Sequence, residues 1–385
     1  MSTRAFDTIV FGATGYTGRL VAEHLLKTYG AKGSVKWAMA GRSAAKGKEV
    51  AREIGASDVP FVVADADDAA SLEAMCKRAD VIISTAGPYQ LYGSKLVAAC
   101  AKTGTDYVDL TGESHWIAQM MAAHDAEAKK SGARLVFSCG FDSIPFDLGV
   151  YYAQEAAKKK FGAYAPRVRG RVRDMDGGLS GGTLASGQAT MAAVQKDPKL
   201  MAVLGNPFAL TPGFTGAAQP DGNTPYEDKV TGSWVGPFMM AGINTKAVHR
   251  TNFLLGKRWG TDFQYDEMQM LKGPPSGPAQ SFTMNPANMP KPGEGPTKAE
   301  REKGFYDLLF IAEMPDGRTV RAAVKGDMDP GYGSTSKILA EAALALASVP
   351  RSQTPGGCWS PAAAMADALL KRLPEKAGLT FAVEV

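Results

Sequence analysis

Cysteine is scarce: four in 385 residues, Cys76, Cys100, Cys139 and Cys358, with no CxxC pair, which argues against a disulfide framework or a zinc knuckle. That usage fits a reducing compartment, and the expected localisation is cytoplasmic. Histidine is also sparse, with four in all, no HExxH, and His115 and His124 not sharing one helical turn, so no metal site is expected. No run of about 18 apolar residues is present to span a bilayer, and the polar start Met1–Asp7 gives no sign of a secretory signal. Charge of one sign is lacking too. The 43 basic and 39 acidic residues leave +4, too thin an excess for a nucleic-acid footprint. With 45% hydrophobic and 21% charged residues, disordered and fibrous classes are excluded. The length suits two to three domains at about 150 residues each.

What is present is a rhythm. Short apolar runs at Thr8–Phe11, Val35–Met39, Phe61–Val63, Val81–Ile83, Tyr107–Val108 and Leu135–Phe137 alternate with helical patterns from Leu20 to Lys130. Strand, helix, strand at this spacing predicts right-handed crossovers and a parallel sheet. The expected fold class is α/β, a Rossmann-type doubly wound parallel sheet with a second α+β substrate domain. Arg167–Arg173 alternates basic with small or apolar residues, as a half-exposed strand or an anion-binding stripe. Gly273–Gly295 is rich in proline and glycine and reads as a long loop, either a lid or a plain insertion.

Gly12-Ala13-Thr14-Gly15-Tyr16-Thr17-Gly18 follows the first strand and opens the first helix. Glycines let a backbone approach a pyrophosphate, whose charge then meets free amides at the helix N-terminus. The second strand ends in Arg42-Ser43, without the acid that would select NAD. Arg42 offers a fork for a 2′-phosphate and Ser43 a hydroxyl donor, so the expected cofactor is NADP. Asp65 is placed to meet the adenine amino group, and Asp67 to cap a helix. Thr85-Ala86-Gly87-Pro88-Tyr89, after the fourth strand, is expected to pass under the ribose and nicotinamide, with Tyr89 facing the cleft.

These motifs, with Tyr107-Val108-Asp109-Leu110-Thr111-Gly112-Glu113 and Cys139-Gly140-Phe141-Asp142-Ser143-Ile144-Pro145, resemble the saccharopine dehydrogenase-like oxidoreductase family. Gly181-Gly182-Thr183, Gly293-Glu294-Gly295-Pro296 and Asp329-Pro330-Gly331-Tyr332-Gly333 look most like its trans-acting enoyl reductase branch. The resemblance spans nearly the whole chain and implies an NADP-binding Rossmann domain at 1–147, a substrate or dimerisation domain at 148–330, and a C-terminal segment, 331–385, that returns to pack on the first domain. It implies an NADPH-dependent oxidoreductase, reducing a carbon–carbon double bond in a lipid or polyketide-type acyl chain. Two alternatives stand beside it. One is a saccharopine-dehydrogenase-like carbonyl or imine reductase, with Arg169, Arg171 and Arg173 placed for substrate carboxylates. The other is a non-catalytic NADP-binding, lipid-associated protein.

Enoyl reduction needs an oxyanion donor and a proton source. Tyr89, Asp142 and Glu113 are the catalytic candidates, with Asp109 nearby, although turn or helix capping is an equally ordinary use of such acids. No tyrosine has a lysine four positions on, which excludes the short-chain dehydrogenase mechanism, and no GxSxG elbow supports a hydrolase. The expected partner is a small-molecule or acyl-chain substrate and not a nucleic acid. Contact with a carrier protein or a membrane surface, and a homodimer, are left open.

Overall fold

The computed structural model describes residues 4–178, 180–274, 290–291 and 293–384. The chain opens with β1 (Phe6–Phe11), α1 (Tyr16–Tyr29), β2 (Trp37–Gly41), α2 (Ala44–Glu53), β3 (Phe61–Val63), α3 (Ala69–Cys76), β4 (Ala79–Ser84), α4 (Tyr89–Tyr92), α5 (Ser94–Thr103), β5 (Asp106–Asp109), α6 (Ser114–Ser131), β6 (Arg134–Val136) and α7 (Ile144–Phe161). The middle contributes β7 (Arg167–Asp176), α8 (Gly181–Lys196), α9 (Leu200–Gly205), β8 (Tyr226–Asp228), β9 (Ser233–Pro237), α10 (Ala241–Leu254), β10 (Gln264–Leu271), α11 (Lys298–Lys303), β11 (Phe305–Glu313) and β12 (Thr319–Gly326). A π-helical turn, Pro330–Ser334, leads into α12 (Thr335–Ser348), β13 (Gly357–Trp359), α13 (Pro361–Lys376) and β14 (Leu379–Glu384).

The first sheet is parallel throughout and runs β3-β2-β1-β4-β5-β6-β13. Its apolar runs do not alternate with polar residues because both faces are covered. Ile9, Phe11 and Ile82 point into one core, with Leu72, Leu96 and Ile117 from α3, α5 and α6. Val10, Val81 and Ile83 point into the other, with Val21, Val50 and Ile338 from α1, α2 and α12. Each such side chain, once fully buried, contributes about 1.5–3 kcal/mol. The order reverses between β1 and β4, and ligands bind such sheets at the carboxyl ends beside that reversal.

The second sheet is mixed, β14-β12-β11-β7-β10-β9-β8, with only β7 and β10 parallel. Its inner face, with Val168, Val172, Leu308 and Phe310, shares one core with Leu148 and Val150 of α7 and with α12. After β12 the tail serves both sheets. α12 packs on β4 and β5, β13 pairs with β6, and β14 pairs with β12. Buried Glu341 of α12 meets His24 Nε2 at 2.8 Å and accepts from Tyr29 Oη at 2.9 Å and Arg372 Nη2 at 2.8 Å, fastening the tail to α1. No helix among the described residues is long and apolar enough to cross a membrane.

Candidate active site

The loop after β1 is a cradle of main chain. Gly12 sits at φ +86°, and its amide and that of Ala13 both donate to Ala40 O, at 3.1 and 3.2 Å. Gly15 N–H donates to Gly12 O at 2.9 Å and closes the turn. A Cβ on Gly18 would lie 2.2 Å from Gly12 O and 2.7 Å from Thr85 Oγ1, so α1 can approach this closely only with glycine there. Thr85 in turn donates through its amide and hydroxyl to Phe11 O, tying the ends of β4 and β1 together. Gly15 caps α1 without a side-chain bond, and the first turn carries no acid. The loop, from buried Ala13 through half-buried Thr14 to exposed Gly15 and half-buried Tyr16 and Thr17, presents the α1 N-terminus uncapped, an arrangement suited to a pyrophosphate.

Arg42 is exposed and has no hydrogen-bond or ion-pair partner among the described residues. Ser43 is also exposed; its Oγ accepts from Lys46 N at 3.3 Å as the cap of α2, which leaves its proton to donate elsewhere. Asp65 is half-buried, with Oδ1 accepting from Asp67 N at 3.0 Å. The α3 cap is Asp68, which accepts from Ala70 N and Ser71 N at 3.0 and 3.3 Å, and not Asp67, which stays exposed. Thr85, Ala86 and Gly87 line the β4 end in partly exposed positions, with Pro88 buried behind them.

Tyr89 does not face the cleft. It is 5% exposed, its hydroxyl donates to Ser84 O at 2.9 Å, and it accepts from Leu110 N at 3.4 Å. Its ring lies 5.5 Å from that of Trp116. Burial pushes the phenol pKa well up, so the hydroxyl is an internal brace. Glu113, 3% exposed, also faces inward. Its two oxygens accept the amides of Tyr89 and Gln90 at 2.9 and 2.8 Å, joining the loops after β4 and β5. Asp109 is fully buried, with Oδ1 accepting from Ser138 N and Thr111 N at 2.8 and 3.1 Å and Oδ2 from Tyr107 Oη at 2.8 Å. Burial raises its pKa to about 7.

Asp142 differs from these acids. It follows the carboxyl end of β6, is half-buried, and has no hydrogen-bond partner among the described residues. Burial alone raises its pKa to about 6. Its charge acts on two groups from beyond the first sheet, Glu267 of β10 and Tyr332 of the π-helical turn. Glu267 is 1% exposed; Asn244 Nδ2 donates to it at 2.7 Å and Tyr265 Oη at 2.8 Å. Burial raises the Glu267 pKa to about 8, and Asn244 Oδ1 is left without a partner. Sequence reasoning missed Glu267 and Asn244. The one local trace is a pair of consecutive acids, Asp266-Glu267, between Tyr265 and Met268, in a strand that buries all four residues.

The three arginines offered for substrate carboxylates are already spent. Arg169 pairs with Glu313 at 2.9 Å, Arg171 with Asp228 and Asp266 at 2.8 Å each, and Arg173 with Asp307 and Glu384 at 2.7 Å each. Gly177–Thr183 forms no hairpin within its described residues; Ser180 caps α8, accepting from Thr183 N at 3.4 Å. Of the loop expected over Gly273–Gly295, residues 275–289 and 292 lie outside the described residues.

A doubly wound sheet with an uncapped, glycine-lined helix start at its switch point defines a Rossmann-type dinucleotide-binding protein. The family model described as the saccharopine dehydrogenase NADP binding domain matches residues 8–136. The chain is 36% identical to the trans-acting enoyl reductase of Mycobacterium ulcerans, over 97% of this chain and 96% of that one. It is likewise 36% identical to the trans-acting enoyl reductase of Mycobacterium tuberculosis, over 96% of each. Saccharopine dehydrogenase (L-Glu forming) of Saccharomyces cerevisiae shares the fold, with a TM-score of 0.54 at 13% identity over 99% of this chain and 100% of that one. The chain is an NADP-dependent oxidoreductase. It belongs to the saccharopine dehydrogenase-like family, on the branch of the trans-acting enoyl reductases.

Proposed function

We propose that this oxidoreductase reduces the carbon–carbon double bond of an α,β-unsaturated acyl chain. The observation that carries the reading is 36% identity, over nearly the full length of both chains, to enzymes named trans-acting enoyl reductases. In this reading residues 1–147 hold the cofactor and 148–330 shape the substrate side. The amides of Thr14 and of the first turn of α1, Tyr16–Gly18, would take the pyrophosphate, Arg42 and Ser43 the 2′-phosphate, and Asp65 the adenine. Residues 85–88 would lie beside the nicotinamide ribose, and the chemistry that NADPH would supply when bound is a hydride for the β-carbon. Asp142 gives its proton to the α-carbon, so that the double bond becomes a single bond, and water restores the proton. Glu113 and Tyr89 position the loops and do not touch the substrate.

The finding that Arg169, Arg171 and Arg173 are all paired within their own sheet counts against a pocket built for an amino-acid substrate with two or three carboxylates. The test supplies purified protein and NADPH with a 2-enoyl thioester in one arm and a 2-oxo acid plus an amino acid in the other. Loss of reduced-nicotinamide absorbance with the thioester alone is the expected result. Loss only with the 2-oxo acid and amine would overturn the enoyl reading.

A further inference from the structure

We propose that Arg301, contributed by α11 beyond the first sheet, is a cofactor-binding residue whose guanidinium contacts the pyrophosphate held on the loop after β1. The inference rests on the NADP site and not on the enoyl chemistry.

Tyr16, the first residue of α1, is gripped from outside its own domain. Its hydroxyl donates to Pro296 O. Arg301 Nη1 donates to the Tyr16 hydroxyl at 3.0 Å and to Pro296 O at 2.7 Å, with its guanidinium 5.8 Å from the centre of the Tyr16 ring. Gly295 lies so close that a Cβ there would meet that ring at 2.6 Å. Tyr332 closes the other side, edge-on at 5.2 Å. Arg301 therefore stands at the hydroxyl end of the Tyr16 side chain, and Tyr16 is the first residue of the helix whose amides have no cap.

Its position is fixed. A capping box joins Thr297 and Glu300 at the start of α11, and Asp329 N donates to Arg301 O at 3.0 Å. Its charge is not balanced. Arg169, Arg171 and Arg173 each hold a carboxylate within 3 Å, whereas Arg301 forms no ion pair among the described residues. Asp329 lies near enough for the Arg301 charge to act on it but forms no ion pair with it; its oxygens accept the amides of Tyr332 and Gly333 at 2.9 and 2.7 Å. Nη1 is occupied, while Nε and Nη2 have no acceptor among the described residues. A half-buried guanidinium with donors to spare and no carboxylate bonded to it is well placed to receive an anion. The anion expected at this helix start is the pyrophosphate.

The test is calorimetric binding of NADPH and of NADH to wild type, Arg301→Gln and Arg301→Lys. A charge-assisted bond to phosphate predicts that Arg301→Gln weakens both nucleotides alike, by roughly tenfold or more, and flattens the salt dependence of binding. Arg301→Lys should recover most of the loss. Unchanged affinity in Arg301→Gln overturns the proposal. So does a loss confined to NADPH, which would move the contact to the 2′-phosphate, or an equal loss in both variants, the sign of a merely structural role. A wild type that binds neither nucleotide would overturn the cofactor site itself, and this contact with it.

Discussion

Glu113 receives the main-chain amide of Tyr89 at 2.9 Å, and with its second oxygen that of Gln90 at 2.8 Å. An acid from the loop after β5 thus fixes the loop after β4, where the cofactor's ribose is expected. In Glu113→Gln one amide would face an NH2 group in place of an oxygen. A buried donor left unmet costs about 1–3 kcal/mol. Urea unfolding should show that loss, with an accompanying weakening of NADPH binding. A variant as stable as wild type would remove the bracing role.

Arg42 is exposed at the end of β2 and unheld by protein. Arg42→Asp puts a carboxylate where the 2′-phosphate is expected. NADPH affinity should fall by about tenfold to a hundredfold, the equivalent of roughly 1.5–3 kcal/mol, with NADH affinity little changed. Equal losses for the two nucleotides would show that Arg42 does not read the 2′-phosphate.

Asp142 is the one acid of the expected catalytic set left without a partner among the described residues, and burial lifts its pKa to about 6. As a proton donor it works in the protonated form, so the rate should be level below about pH 6 and fall above it. Asp142→Asn should lower turnover by about a hundredfold to ten-thousandfold, abolish that limb, and leave NADPH binding intact. An unchanged pH profile would assign the proton to another group.

Glu267 and Asp109, with pKa values raised to about 8 and about 7, bind protons in the folded state that the unfolded chain has already released. Their protonated forms favour folding fully below the ordinary carboxylate range. That contribution shrinks as pH rises toward about 8. Glu267→Gln removes one such group, and its new amide can donate to the unpartnered Asn244 Oδ1 after that side chain flips. Thermal unfolding between about pH 5 and about pH 8 should therefore decline less steeply in the variant than in wild type. Parallel declines would mean that Glu267 does not carry the proton.

The nucleotide-binding half was legible because its signals are local. A strand buried on both faces needs an unbroken apolar run, as at Thr8–Phe11, and a glycine-spaced helix start needs only seven consecutive residues. The second sheet was less legible, because β8 and β9 are short, α10 separates β9 from β10, and β7 alternates arginines with small or apolar residues.

The amino-acid order alone specified where a dinucleotide could rest and that Arg42, rather than an acid, ends the second strand. Tertiary structure decided which polar groups remain available. Tyr89 and Glu113 turned inward because Ser84 O, Leu110 N and two main-chain amides needed partners away from water, and the β7 arginines were consumed by carboxylates distant in sequence. Asp142 was left without a hydrogen-bond partner among the described residues, while Glu267 and Arg301 arrived from elements more than a hundred residues further along. A buried donor or acceptor takes whichever partner the fold brings near it, and that choice has no local pattern in the chain.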